Sequence, residues 1–142
     1  MNIRSIFTAL FIIGICASVP LMGMYAAEKA KIFKSEPQNS VCKHLDDANF
    51  EATIAKGLVV VDFYADWCSP CQKLGPLFEQ TASQMTGKLT FAKANVDIAS
   101  RATQKYNVSS IPTLIIFKDG KELKRRTGGC DLKTLQSFVN NL

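Results

Sequence analysis

The sequence predicts an α/β domain built on a mixed sheet, and three observations carry that prediction. Leu58–Tyr64 (LVVVDFY) is a β-branched and aromatic run of the kind found in a strand covered on both faces. Strand-like and helix-like stretches alternate around it, which is the pattern of βαβ units. Asp119-Gly120, set between two further strand-like runs, is a hairpin signal and adds an antiparallel pair to the parallel ones.

Taken in order, residues 41–45 read as a short first strand. Asp46 or Asp47 can cap a helix running to about Lys56, by accepting free amide hydrogens of its first turn. After the Leu58–Tyr64 strand, residues 68–85 read as a long helix interrupted by Pro76, which removes one hydrogen bond and kinks it. Residues 89–95 (LTFAKAN) alternate as a strand, and 98–106 form a short helix. Residues 113–117 and 122–127 are the hairpin strands. Residues 131–141 close the chain as an amphipathic helix with Leu132, Leu135, Phe138 and Val139 on one side. The expected sum is a sheet of about five strands flanked by about four helices.

The sequence of 142 residues is 47% hydrophobic and 20% charged, enough for one domain with a packed core. Five cysteines are too few and too unevenly placed for a disulfide-dense scaffold. The net charge of +5 is mild and makes no basic stripe interleaved with aromatics, so nucleic acid is not expected as a partner. Residues 1–27 differ from the rest. Arg4 is their one charge, and 6–27 is an apolar run broken by Thr8, Ser18 and Pro20, the pattern of a signal peptide or membrane anchor. Cys16-Ala17-Ser18 offers small residues for cleavage, yet the run is long enough to span a bilayer, so cleaved and retained forms both stand. Residues 28–40, polar and lysine-rich, read as a linker to a domain at 41–142. Export follows from this reading, to a bacterial periplasm or to an inner-membrane anchor facing it.

Chemistry concentrates in Trp67-Cys68-Ser69-Pro70-Cys71, between the strongest strand and the long helix. Two cysteines separated by two residues in a first helical turn can close a small disulfide ring. The first sits where free amide hydrogens and the helix dipole stabilise a thiolate, the attacking species in disulfide exchange, so Cys68 is the candidate nucleophile. Cys71, one turn in, can resolve the mixed disulfide. Pro70 falls where a missing N–H is harmless. A zinc or copper site is the competing reading. Structural zinc wants four ligands, whereas there is no second CxxC and His44 is the sole histidine, so no metal and no cofactor is expected.

The stretch 61–71 (VDFYADWCSPC) resembles the active-site segment of thioredoxins. Pro76 falls where that family kinks its helix, and residues 91–97 (FAKANVD) resemble its third strand and following turn. Residues 110–113 (SIPT) resemble the segment holding its cis-proline, and Asp119-Gly120 and Gly128 fall into register. The likeness covers 41–142 and implies the thioredoxin fold and a protein thiol–disulfide oxidoreductase, a reductase or isomerase, working through Cys68 and Cys71. Alternatives are a net oxidant, a partner in cytochrome c maturation, or a binding module whose cysteines matter little.

Asp62 lies within a strand covered on both faces, where a desolvated carboxyl has a raised pKa. The resemblance implies that it relays a proton to or from Cys71, with Lys93 on the neighbouring strand as its electrostatic partner. It also implies a cis bond between Ile111 and Pro112, and a shallow apolar docking surface for extended polypeptide made by Trp67, Ile111, Pro112 and Gly128. Protein thiols and disulfides are the implied substrates, an upstream thiol the electron donor, and a monomer the expected state. Ser69 stands where the family usually carries Gly, and the intervening dipeptide influences redox poise. Cys130, after Gly128-Gly129, is expected near the apolar surface around the nucleophile, with a buried structural thiol as the blander reading.

Overall fold

A computed structural model describes residues 40–142; the expected leader or anchor at 1–27, and all of the linker but Ser40, lie outside the described residues. The elements are β1 (Lys43–Leu45), α1 (Phe50–Ile54), β2 (Leu58–Tyr64), α2 (Ser69–Gln84), β3 (Thr90–Asn95), α3 (Ser100–Lys105), β4 (Thr113–Lys118), β5 (Lys121–Thr127) and α4 (Leu132–Asn140). They make one five-stranded sheet in the order β1-β3-β2-β4-β5. β3 pairs parallel with β1 and β2, whereas β4 pairs antiparallel with β2 and β5, so the sheet is mixed as the sequence predicts.

Two apolar layers cover the sheet. On one face, Val59, Val61 and Phe63 of β2 meet Phe50 and Ile54 of α1, Ala99 and Ala102 around the start of α3, and Ile115 and Phe117 of β4. Rings dominate this layer. Phe117 packs edge-on to Phe50 and Tyr106 with centroids 6.0 and 4.9 Å apart, in the offset geometry that aromatic quadrupoles favour. On the other face, Val60 meets Leu74, Phe78 and Ala82 of α2 and Leu135, Phe138 and Val139 of α4. The alternation of β2 thus feeds both layers, and Asp62 falls on the α2 side with Val60.

The end of the sheet away from the cysteines is tied by the hairpin. Asp119 and Gly120 both have positive φ, 49° and 80°, as a two-residue turn matched to strand twist requires. The Asp119 and Gly120 amides donate to the carbonyls of Gly57 and Ile54, at 3.0 and 2.8 Å, and the Asp119 carboxylate accepts from the Gly57 amide at 2.8 Å.

The first helix departs from expectation. It is only Phe50–Ile54, its N-cap Asn49 makes no side-chain cap bond, and neither aspartate caps it. Asp46 instead closes the turn before it, accepting from the amides of Ala48 and Asn49. Asp47 caps α3 from a distance, its carboxylate accepting from the amides of Arg101 and Ala102 at 2.9 and 3.2 Å. α3 begins after Ala99, which has no side-chain acceptor to offer, so its first-turn donors are satisfied by a residue far away in sequence.

Phe117→Ala removes a fully buried ring that joins α1 and the segment after α3 to the sheet. We expect a loss of about 3–5 kcal/mol of unfolding free energy in urea titration, the range for truncating a buried phenylalanine.

Candidate active site

The site is assembled where β2 ends and α2 begins. Ala65 is buried, its carbonyl accepts from the Cys68 amide at 3.2 Å, and the resulting turn sets Cys68 at the N-cap of α2 in extended conformation. Cys68 and Cys71 are joined as a disulfide with their Cα atoms 5.2 Å apart. The Cys71 amide donates to Cys68 Sγ at 3.3 Å, so the first cysteine is the sulfur that the helix N-terminus faces. Pro70 occupies the first turn, and the helix continues through Pro76, whose nitrogen has no hydrogen to give the preceding turn. Both cysteines are buried, with Ala65, and Tyr64, Val96 and Ile111 pack around them.

The segment before β4 closes over Cys68. Ile111–Pro112 is cis, and the Ile111 carbonyl oxygen lies 3.9 Å from Cys68 Sγ. Thr113 Oγ1 donates to the Ser110 carbonyl at 2.7 Å, and the Gly128 amide donates to the Pro112 carbonyl at 2.8 Å. Gly128 has φ 91°, a conformation glycine adopts without strain. The expected surface is therefore partly revised. Trp67 is 70% exposed and Ile111 and Gly128 are half-buried, but Pro112 itself is buried.

Sequence reasoning missed the groups that fix the indole and the loop. Trp67 Nε1 donates to Asp97 Oδ2 at 2.9 Å, and Gln72 Nε2 donates to the Asp66 carbonyl at 2.7 Å. Asn95, buried at the end of β3, donates through Nδ2 to Asp66 Oδ2 at 3.4 Å and accepts at Oδ1 from the Asp97 amide. Residues 95–97 lie in a turn beside the cysteine loop because the Val96 amide donates to the Tyr64 carbonyl. Asn95 and Asp97 sit in the stretch that resembles the family's third strand, which was the available signal.

Asp62 is 1% exposed, and among the described residues neither of its carboxylate oxygens has a hydrogen-bond partner. Burial pushes its pKa up to about 7, and the Lys93 ammonium offsets only part of that cost. Lys93 pairs in register with Asp62 across β2 and β3, as expected, but its ammonium is not bonded to that carboxyl. It forms an ion pair with Glu79 Oε1 at 3.3 Å and lies 5.0 Å from the centroid of the Tyr64 ring. Lys93 is thus the electrostatic partner of Asp62 that was expected, acting without a bond, while its direct ion pair is with a residue of α2.

Cys71, Gly75, Pro76, Glu79, Lys93 and Tyr64 line an open cleft of about 490 Å³ beside the disulfide. Cys130 is half-buried and packs against the layer formed by α2 and α4. Cys42 is buried and free, and its thiol is pushed up to about 12 by burial and by Glu79 nearby.

The geometry agrees with the comparisons. A model of the family described as Thioredoxin matches residues 41–141. A thioredoxin of Chlamydia pneumoniae is 45% identical over 98 residues, covering 69% of this chain and 95% of that protein. One of Chlamydia trachomatis serovar D is 45% identical over 92 residues, 65% of this chain and 89% of that protein. One of Bacillus subtilis is 38% identical over 94 residues, covering 66% and 90%.

The buried carboxyl gives stability a pH dependence of definite sign. With a folded pKa near 7 and an unfolded value near 4, Asp62 stays protonated in the folded state after it ionises in the unfolded one. Its contribution is full below about pH 4 and is lost as pH rises toward and through 7. Asp62→Asn should therefore gain on the order of a few kcal/mol relative to the natural protein between pH 4 and pH 8. Urea midpoints at the two pH values check it, and a parallel pH dependence in both proteins would refute it.

Proposed function

The chain belongs to the thioredoxin family and is a protein thiol–disulfide oxidoreductase, and from that premise we propose that it acts as a reductase or isomerase of protein disulfides outside the cytoplasm. The observation that carries the chemistry is the cysteine pair at the start of α2, its first sulfur facing the free amide of Cys71 beside an exposed indole.

In the proposed cycle the reduced protein binds an extended polypeptide against Trp67, Ile111 and Gly128, next to the backbone around Pro112. The Cys68 thiolate, stabilised by the helix N-terminus, attacks one sulfur of the substrate disulfide, and the other leaves as a thiolate that takes a proton. The Asp62 carboxylate accepts the Cys71 proton, and the Cys71 sulfur then attacks Cys68 Sγ. The second substrate thiol leaves, and the Cys68–Cys71 disulfide holds the two electron equivalents of oxidation. A dithiol donor reduces it again by the reverse exchange. A pKa for Asp62 near 7 suits this role, since a base is most useful when it can both take and release a proton at working pH. Lys93 tempers that carboxyl electrostatically.

Export rests on residues 1–27, with Arg4 ahead of a long apolar run, and on the position of this segment outside the 41–141 family match. The domain would work in a bacterial periplasm, released or held at the inner membrane by that segment, as a monomer.

Two experiments test the reading. In an insulin-reduction assay Cys68→Ser should abolish turnover, while Cys71→Ser should accumulate mixed disulfides with substrate proteins; equal trapping by both would overturn the roles. A reporter that is active only outside the cytoplasm, fused after residue 40, should be active when expressed in a bacterium with a periplasm. Reporter activity confined to the cytoplasm would overturn the location and leave the exchange chemistry untouched.

A further inference from the structure

Glu79 carries no role in the cycle above, yet its placement is specific. Cys71, Gly75 and Glu79 recur every four residues on α2, so they share one helical face, the face that lines the cleft beside the disulfide. Lys93 reaches that face from β3. Three contacts set its ammonium there: Glu79 Oε1 at 3.3 Å, the Tyr64 ring at 5.0 Å, and the open side of Gly75, where an added Cβ would lie 3.9 Å from Nζ. The Lys93 side chain is 15% exposed and that of Glu79 is 39% exposed, so the pair sits at the cleft wall with the acid on the solvent side.

On the other side of Lys93, and in register with it, is the Asp62 carboxyl, buried and without a hydrogen-bond partner. The ammonium is ion-paired to Glu79 and acts electrostatically on Asp62, and it can bond one carboxyl only at the expense of the other. We propose that Glu79 is a positioning residue, which by pairing with Lys93 on the cleft wall keeps the ammonium from closing on the buried Asp62 carboxyl. This deepens, and rests on, the reading of Asp62 as the group that exchanges a proton with Cys71. Were Lys93 to close on Asp62, the carboxylate would be held in its charged form and would be a weaker base for the Cys71 thiol.

The other ionisable groups around Asp62 do not provide the same hold. Cys42, ahead of β1, is a neutral thiol at working pH. His44 of β1 is in register with Lys93 on the far side of β3 from Asp62. Asp66, on the cleft wall, is engaged by Asn95 Nδ2. Tyr64 offers its ring face to the ammonium. Cys71 is the group being served, and β4 opposes Asp62 with Leu114.

The test follows the Asp62 carboxyl by carbon NMR against pH in the oxidised full-length protein, labelled at aspartate. In Glu79→Gln the Asp62 midpoint should fall by roughly half a pH unit, the size expected when a partly exposed ion pair is exchanged for a closer one. Glu79→Asp, which keeps the charge, should restore most of the natural midpoint. In a Lys93→Met background Glu79→Gln should move the midpoint no further. An unchanged midpoint in Glu79→Gln overturns the proposal, and so does an equal shift in the Lys93→Met background, because Glu79 would then act by its own charge. The rate of mixed-disulfide resolution against pH tests the relay separately. If Asp62→Asn leaves that profile unchanged, the relay fails while the NMR result still decides what Glu79 does.

Discussion

The structure depends on one strand having no exposed edge and no exposed face. β2 is hydrogen-bonded to β3 on one side and to β4 on the other, and its side chains enter both apolar layers. Such a strand is held in register along its length, because a slip by one residue would send Val59, Val61 and Phe63 to the wrong layer and Val60 with them. The cysteine loop begins one residue after it. Cys68 therefore inherits its position from the most constrained segment of the domain, not from the loop that carries it.

The same constraint makes Asp62 unusual. A carboxyl on a doubly covered strand has no water to solvate its charge, and no donor is within bonding distance of it. Its placement costs stability at neutral pH and yields a proton-exchanging group between the sheet and α2. The helix answers with a polar strip of its own. Cys71, Gly75 and Glu79 succeed one another at four-residue spacing, while the adjacent stripe of Leu74, Phe78 and Ala82 enters the core. One helix thus serves packing with one stripe and chemistry with the next.

What could be read in the sequence, and what could not, divides along chain distance. The CxxC pair, the burial of Asp62 and the hairpin at Asp119-Gly120 are local patterns, each with a physical meaning inside a few residues, and the structure has all three. The cis Ile111–Pro112 bond came from family resemblance, since proline alone does not dictate it. The pairings that were missed join side chains far apart in sequence. Asp47 has every local mark of a cap for the helix just after it, and it caps α3 instead because the β1–α1 turn brings it against that helix. Lys93 acts on Asp62 electrostatically, as the resemblance implied, but its ion pair with Glu79 of α2 had no local signal. Pro112 was counted with the docking surface on family resemblance, and in the structure it is buried.

The bonds between the Asp119-Gly120 turn and the backbone at Ile54 and Gly57 have a kinematic consequence. They fasten β4 to the entrance of β2 at one end of the sheet, where three hydrogen bonds converge within a few residues. At the opposite end β4 is preceded by Pro112, which has no amide hydrogen to lend a ladder, and β2 runs out into the cysteine loop. β2 and β4 stay paired up to that end, from Leu58 opposite Lys118 to Phe63 opposite Thr113, so local adjustment is left to the residues beyond the ladder. Cys68 and Ile111 both lie beyond the ladder, so adjustments around the disulfide leave untouched the register that the rest of the domain requires.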